Sequence, residues 1–231
     1  MFQMPSDTNV SPLNPLPPVV WLLVAPIALV EAVLNLGARG LIGGPQAIGW
    51  RLMAERDYGF QPEIFAWMMQ NQIFPAYEMG RFISYGFVHA NFTHALFVCV
   101  FILAMGKMVA SVFHAWAVLV VYFGAGILGA LAYGLLAPGP MPLIGGYPSV
   151  YGLIGAFTFV LWVRLKVGGD SGARAFSLIG FLLGVQLVFG VLFGGGSEWI
   201  AEAAGFISGF GLSFVVSPGG WQHLLNRLRN R

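Results

Sequence analysis

Residues 145–155, Gly145-Gly146-Tyr147-Pro148-Ser149-Val150-Tyr151-Gly152-Leu153-Ile154-Gly155, carry an apolar loop into an apolar run that continues to Val167. Two glycines close the loop, and Pro148 suits the first turn of a helix, where a missing N–H costs nothing. A membrane-spanning helix needs roughly 20 predominantly apolar residues, and the run from Val150 to Val167 comes close to that length. The stretch therefore reads as the mouth of a buried helix, and the rest of the chain repeats the pattern.

The 231 residues are 58% hydrophobic and only 9% charged, with a mean hydropathy of +0.78. A soluble domain carries about 25% charged residues, so this surface must face lipid over most of its area. The fold class expected is all-α, a polytopic bundle of six membrane helices. The spans are Pro18–Leu36, Phe92–Val112, Ala115–Leu136, Val150–Val167, Ala175–Phe193 and Trp199–Val216. Gly194-Gly195-Gly196-Ser197-Glu198 interrupts the last two.

A net charge of +2 gives no reason to expect a nucleic-acid partner. The single cysteine, Cys99, excludes an intrachain disulfide and a Cys-rich metal site. Residues 1–17 are polar and Pro-rich without a basic segment, and read as a disordered lead-in rather than a cleaved signal peptide. The membrane domain spans 18–216, and residues 217–231 form a basic tail. In that tail Trp221, Leu224, Leu225 and Leu228 recur at helical spacing opposite the arginines. An amphipathic helix on anionic headgroups and an ordinary charged anchor both suit it.

Lys107, Arg164, Lys166, Arg174, Arg227, Arg229 and Arg231 fall on one side if both termini are cytoplasmic, and this is the orientation expected. The absence of an organellar presequence points to a bacterial cytoplasmic membrane. The loop over residues 37–91 is far longer than the other connections and mixes charges with Trp50, Phe60, Phe65 and Trp67. Short amphipathic helices in the membrane interface are expected there rather than a soluble domain.

Ionisable groups inside spans cost roughly 2.5–3.5 kcal/mol each on insertion scales, so each is a candidate site. Glu31 sits in the first span, His89 and His94 bracket the entry to the second, and Glu202 lies one turn into the sixth. Tyr147 and Tyr151 flank the start of the fourth. His89 and His94 lack further ligands nearby, so no metal and no cofactor is expected; buried hydrogen bonds that fix the loop to the bundle suit them better. Glu202 reads either as an interfacial carboxylate or as part of a buried polar network. Gly205 and Gly209 give the sixth span a small-xxx-small face for close packing.

Three ordered motifs resemble the rhomboid intramembrane serine proteases. Arg81, Ser84, Phe87, His89, His94 and Gly106 fall in register with the family's second-span region. Gly145, Tyr151, Gly152, Leu153 and Gly155 match its fourth-span turn, and Ala201, Gly205 and Gly209 its sixth span. Six spans with a membrane-associated first loop are the minimal architecture that this resemblance implies.

The resemblance also implies a Ser–His dyad and span-two oxyanion donors, and here the chain departs from it. Family register puts Tyr147 at the serine, Glu202 at the histidine, Val98 at an oxyanion asparagine and Pro148 at the glycine after the serine. His94 alone keeps its oxyanion position. A phenol with a pKa of about 10 cannot replace a serine on a tight turn. A carboxylate cannot become the imidazolium that protonates a leaving amine, and Val98 and Pro148 donate nothing. A direct Tyr147–Glu202 hydrogen bond is expected as a latch in place of the dyad.

Ser149 is the fallback nucleophile. Two helical residues turn a side chain by about 200°, which aims Ser149 away from the sixth span. The function expected is therefore a catalytically inactive rhomboid-like protein that binds transmembrane helices of clients or serves a membrane complex as an accessory subunit. The alternative is an active serine endopeptidase using Ser149. A channel or transporter is disfavoured, because spans two, three and five are almost wholly apolar, with Lys107 and Gln186 the main exceptions.

Overall fold

A computed structural model of the chain describes residues 16–137, 139–193 and 196–218. Most of the lead-in and of the basic tail lies outside those residues, including Trp221 and the terminal arginines.

The described residues fold into helices joined by turns. Helix α1 (Pro18–Ala38) opens with Pro18 in its first turn, as its fixed φ favours. Three short helices follow in the long loop: α2 (Trp50–Tyr58), α3 (Pro62–Asn71) and α4 (Ala76–Ser84). The bundle continues with α5 (Phe92–Ala110), α6 (Ala115–Leu136), α7 (Tyr147–Val167), α8 (Ser177–Phe193) and α9 (Glu198–Val216). Among the described residues, α1, α5, α6, α7 and α9 are long and apolar enough to cross a membrane. Helix α8, with 17 residues, occupies the place of the expected fifth span. The fourth span begins at Tyr147 rather than Val150, because the turn at Gly145-Gly146 is tight enough for helical bonding to start at once.

Helices α7 and α9 approach to backbone contact. A Cβ added at Gly209 would collide with the Gly152 carbonyl, one at Gly205 with the Pro148 carbonyl, and one at Gly155 with the Phe206 carbonyl. The expected small-residue face is thus the seam that joins the fourth and sixth spans, where lipid supplies no hydrophobic drive and close packing must hold the helices.

The long loop is built as its composition suggests. Phe60, Phe65 and Phe82 form a cluster with ring centroids 4.8–5.9 Å apart. The cluster packs on α6 at Gly134, where a Cβ would stand 2.6 Å from the Phe65 ring. Buried Arg81 donates to the carbonyls of Arg56 (2.7 Å) and Gly59 (2.9 Å) and pairs with Glu78. Leu41, Ile48, Leu52 and Met53 nevertheless remain largely exposed. Apolar side chains outward on a self-packed loop suit an element seated in lipid.

Candidate functional site

The site is assembled around the turn before α7. Phe60 and Leu143 exchange two backbone hydrogen bonds (3.0 and 2.8 Å), which pin the incoming strand of that turn to the long loop. The Gly145 N–H donates to the Tyr85 carbonyl at 2.9 Å, and the Tyr85 hydroxyl donates to the Gly126 carbonyl on α6 at 2.8 Å. Gly145 has φ +92°, and a Cβ there would also stand 2.5 Å from His94 Nε2. Glycine is required twice over at this position, by backbone conformation and by space.

His89 is fully buried and accepts from the Gly146 N–H at Nε2 (3.3 Å). A neutral imidazole that accepts at Nε2 carries its proton on Nδ1. Burial, reinforced by neighbouring His94, pushes the His89 pKa down to about 3, so the ring stays neutral. His94 stands edge-on to His89 with centroids 5.0 Å apart and stacks on Tyr147 at 5.1 Å and 16°. Asn91 caps α5 by accepting from the His94 N–H at 2.9 Å. The two histidines thus tie the loop to the bundle, in one case by a hydrogen bond and in the other by ring packing.

A cavity of about 410 Å³ opens between the ends of α5, α7 and α9, lined by Asn91, His94, Tyr147, Pro148, Glu198 and Glu202 among others. Tyr147 and Glu202 therefore share a cavity, as expected. The Tyr151 hydroxyl, one turn along α7, hydrogen-bonds the Glu202 carboxylate, a contact that the spacing alone did not single out. The Tyr147 ring lies over His94. Glu202 is only 7% exposed, which selects the buried-network reading over an interfacial carboxylate.

Val98 is fully buried beneath the turn, and a Cβ on Gly146 would stand 2.9 Å from it. Ser149 is buried against α6, its Oγ 2.5 Å from where a Gly126 Cβ would lie. It faces the third span, away from the cavity. Among the described residues no serine lines the cavity; its aliphatic hydroxyl is Thr93. Thr93 neighbours His94 in the chain and is turned about 100° from it on the helix.

Arg51 is the residue that sequence reasoning passed over. Its guanidinium donates to both oxygens of buried Glu31, at 2.7 and 3.1 Å, and to the His89 carbonyl. Asn35 adds a further hydrogen bond to the same carboxylate. Glu31, a carboxylate inside a span whose own helix, Pro18–Ala38, contains no cation, required a partner from elsewhere; that requirement was the available signal.

The family model of the Rhomboid domain matches residues 76–219, which take in α4 through α9 and every side chain around the cavity. The chain belongs to the rhomboid family. It is similar to the protein described as "Putative rhomboid protease YdcA" of Bacillus subtilis (strain 168), with 25% identity over 139 residues, 60% of this chain and 67% of that protein. Helices α1 to α3, with Glu31 and Arg51, precede the matched rhomboid domain.

Proposed function

We propose that this rhomboid-family membrane protein is catalytically inactive and binds transmembrane helices of client proteins, or serves a membrane complex as an accessory subunit. One observation carries the reading. The side chains in the two dyad positions of the family register are a tyrosine stacked on His94 and a glutamate bonded to Tyr151, while Ser149 faces α6. Among the described residues lining the cavity, neither a nucleophile–base pair nor a full set of oxyanion donors meets. The Gly146 N–H is already bonded to His89, and Pro148 has none to give. A polar cavity with two carboxylates remains, and it can accept hydrogen bonds from the free N–H groups at the end of a client helix. In this reading both termini are cytoplasmic, which the distribution of Lys and Arg supports, and the membrane is a bacterial cytoplasmic one.

Fluorophosphonate labelling of the purified protein in detergent tests it. Wild type and Ser149→Ala should both stay unlabelled. Labelling of wild type that disappears in Ser149→Ala identifies an active enzyme and refutes the proposal. A Tyr147→Ser/Glu202→His/Val98→Asn variant that gains labelling would place the lost dyad directly.

A further inference from the structure

A second cavity, of about 530 Å³, lies between α1 and α5, apart from the one that holds Glu202. Ala28 and Ala32 of α1 and Ala95, Leu96 and Cys99 of α5 form its apolar walls. One end is polar, where Glu31, Asn35 and Arg39 meet. The Glu31 carboxylate is neutralised there by Arg51 at 2.7 Å. Arg39, exposed just past the end of α1, enters none of the ion pairs among the described residues. The polar end therefore carries positive charge, and the rest of the groove is hydrocarbon.

We propose that this groove binds one phospholipid, its phosphate on the Arg39 guanidinium and one acyl chain laid along the α1–α5 seam toward Val24 and Cys99. Arginine presents a planar fork that matches phosphate oxygens. The dimensions support the assignment. Arg39 and Val24, at opposite ends of the groove, stand about 22 Å apart along a helix rising 1.5 Å per residue. That is close to one leaflet, roughly half of the 40–45 Å bilayer with its headgroups.

The small wall residues Ala28, Ala32 and Ala95 leave room along the α1–α5 seam. An anionic headgroup adds attraction at the positive end.

The test is native mass spectrometry of the full-length protein in detergent, titrated with 1-palmitoyl-2-oleoyl-phosphatidylglycerol. Wild type should retain one lipid. Arg39→Gln should weaken retention about tenfold, because it removes a charge-assisted contact. Ala32→Trp should fill the groove and abolish retention, and Ala28→Trp repeats that test one turn away. All three positions are exposed, so the bundle should melt as wild type does without lipid. Leu29→Trp, on the same helix but off the groove, should change nothing. Dioleoylglycerol, which lacks the phosphate, should bind at least tenfold more weakly. Equal retention by wild type, Arg39→Gln and Ala32→Trp overturns the proposal. So does crosslinking of Cys99, the chain's single thiol, to a second copy or another protein that is indifferent to added lipid.

Discussion

Arg51 grips both carboxylate oxygens of Glu31, at 2.7 and 3.1 Å, from a helix of the long loop twenty residues away. The same guanidinium donates to the carbonyl of His89, whose ring accepts from the Gly146 N–H. One side chain thus connects α1, the loop and the turn that opens α7. The Glu31 side chain is 6% exposed and that of Arg51 18%, so removing one partner strands a charge in a poorly solvated place.

Arg51→Ala should accordingly lower stability by about 3 kcal/mol, the scale for breaking one side of a buried pair. Thermal unfolding in detergent reads it. Arg51→Lys should recover little, since an ammonium cannot span the two carboxylate oxygens and the carbonyl together. In the double-mutant cycle with Glu31→Gln, a coupling above about 1 kcal/mol is expected; additive losses would show that the pair does not act as a unit.

The tyrosines of α7 divide their work, and their hydroxyls should be separable. Tyr151→Phe takes away the hydrogen bond to buried Glu202, and should cost about 1–3 kcal/mol because the acceptor is left short of a partner. Tyr147→Phe keeps the ring that stacks on His94, and should change stability by less than about 0.5 kcal/mol. Melting curves of the two variants side by side decide the matter. A larger loss in Tyr147→Phe would return the latch to that residue.

Much of this architecture was legible before any coordinates. The spans followed from apolar length, the amphipathic loop from its mixed charges and aromatics, and the α7–α9 seam from Gly205 and Gly209. The site was less so. Tyr147 and Tyr151 are four residues apart and share a helix face, so the pattern could not say which hydroxyl reaches Glu202. The stacking of Tyr147 on His94 fixes where that ring lies, and stacking leaves no trace in residue spacing. Arg51 was hidden for another reason: it lies among Arg39, Arg56 and Arg81 in one loop, and only the folded loop brings one of these four to Glu31.

Acid should loosen the turn. His89 lies outside the spans, and its pKa is about 3 in the fold against about 6.5 for an unperturbed histidine. Between those values the unfolded chain binds a proton that the folded chain does not, so stability rises with pH there. The contribution is fully present above about pH 6.5 and is lost on acidification toward 3, by at most about 1.4 kcal/mol per pH unit. Unfolding midpoints at pH 7.5, 6 and 5 should fall in wild type. In His89→Gln, whose amide has no proton to gain, the part of the slope owed to this ring should vanish. An unchanged slope would assign the acid sensitivity to other groups.

The glycines of α9 allow a test in which the same substitution has opposite signs. A methyl group at Gly209 would run into the Gly152 backbone of α7, whereas nothing lies within 4 Å of one at Gly211. Gly209→Ala must push the helices apart at their closest approach, and should destabilise by about 1–3 kcal/mol, the usual cost of overpacking. Because Tyr151 and Glu202 sit on the same two helices, the change should also loosen their hydrogen bond, so that Gly209→Ala and Tyr151→Phe combine less than additively. Gly211→Ala introduces a better helix former into open space and should stabilise by up to about 1 kcal/mol. Thermal midpoints that move the same way in both variants would mean that helix propensity, not the α7–α9 contact, governs this seam.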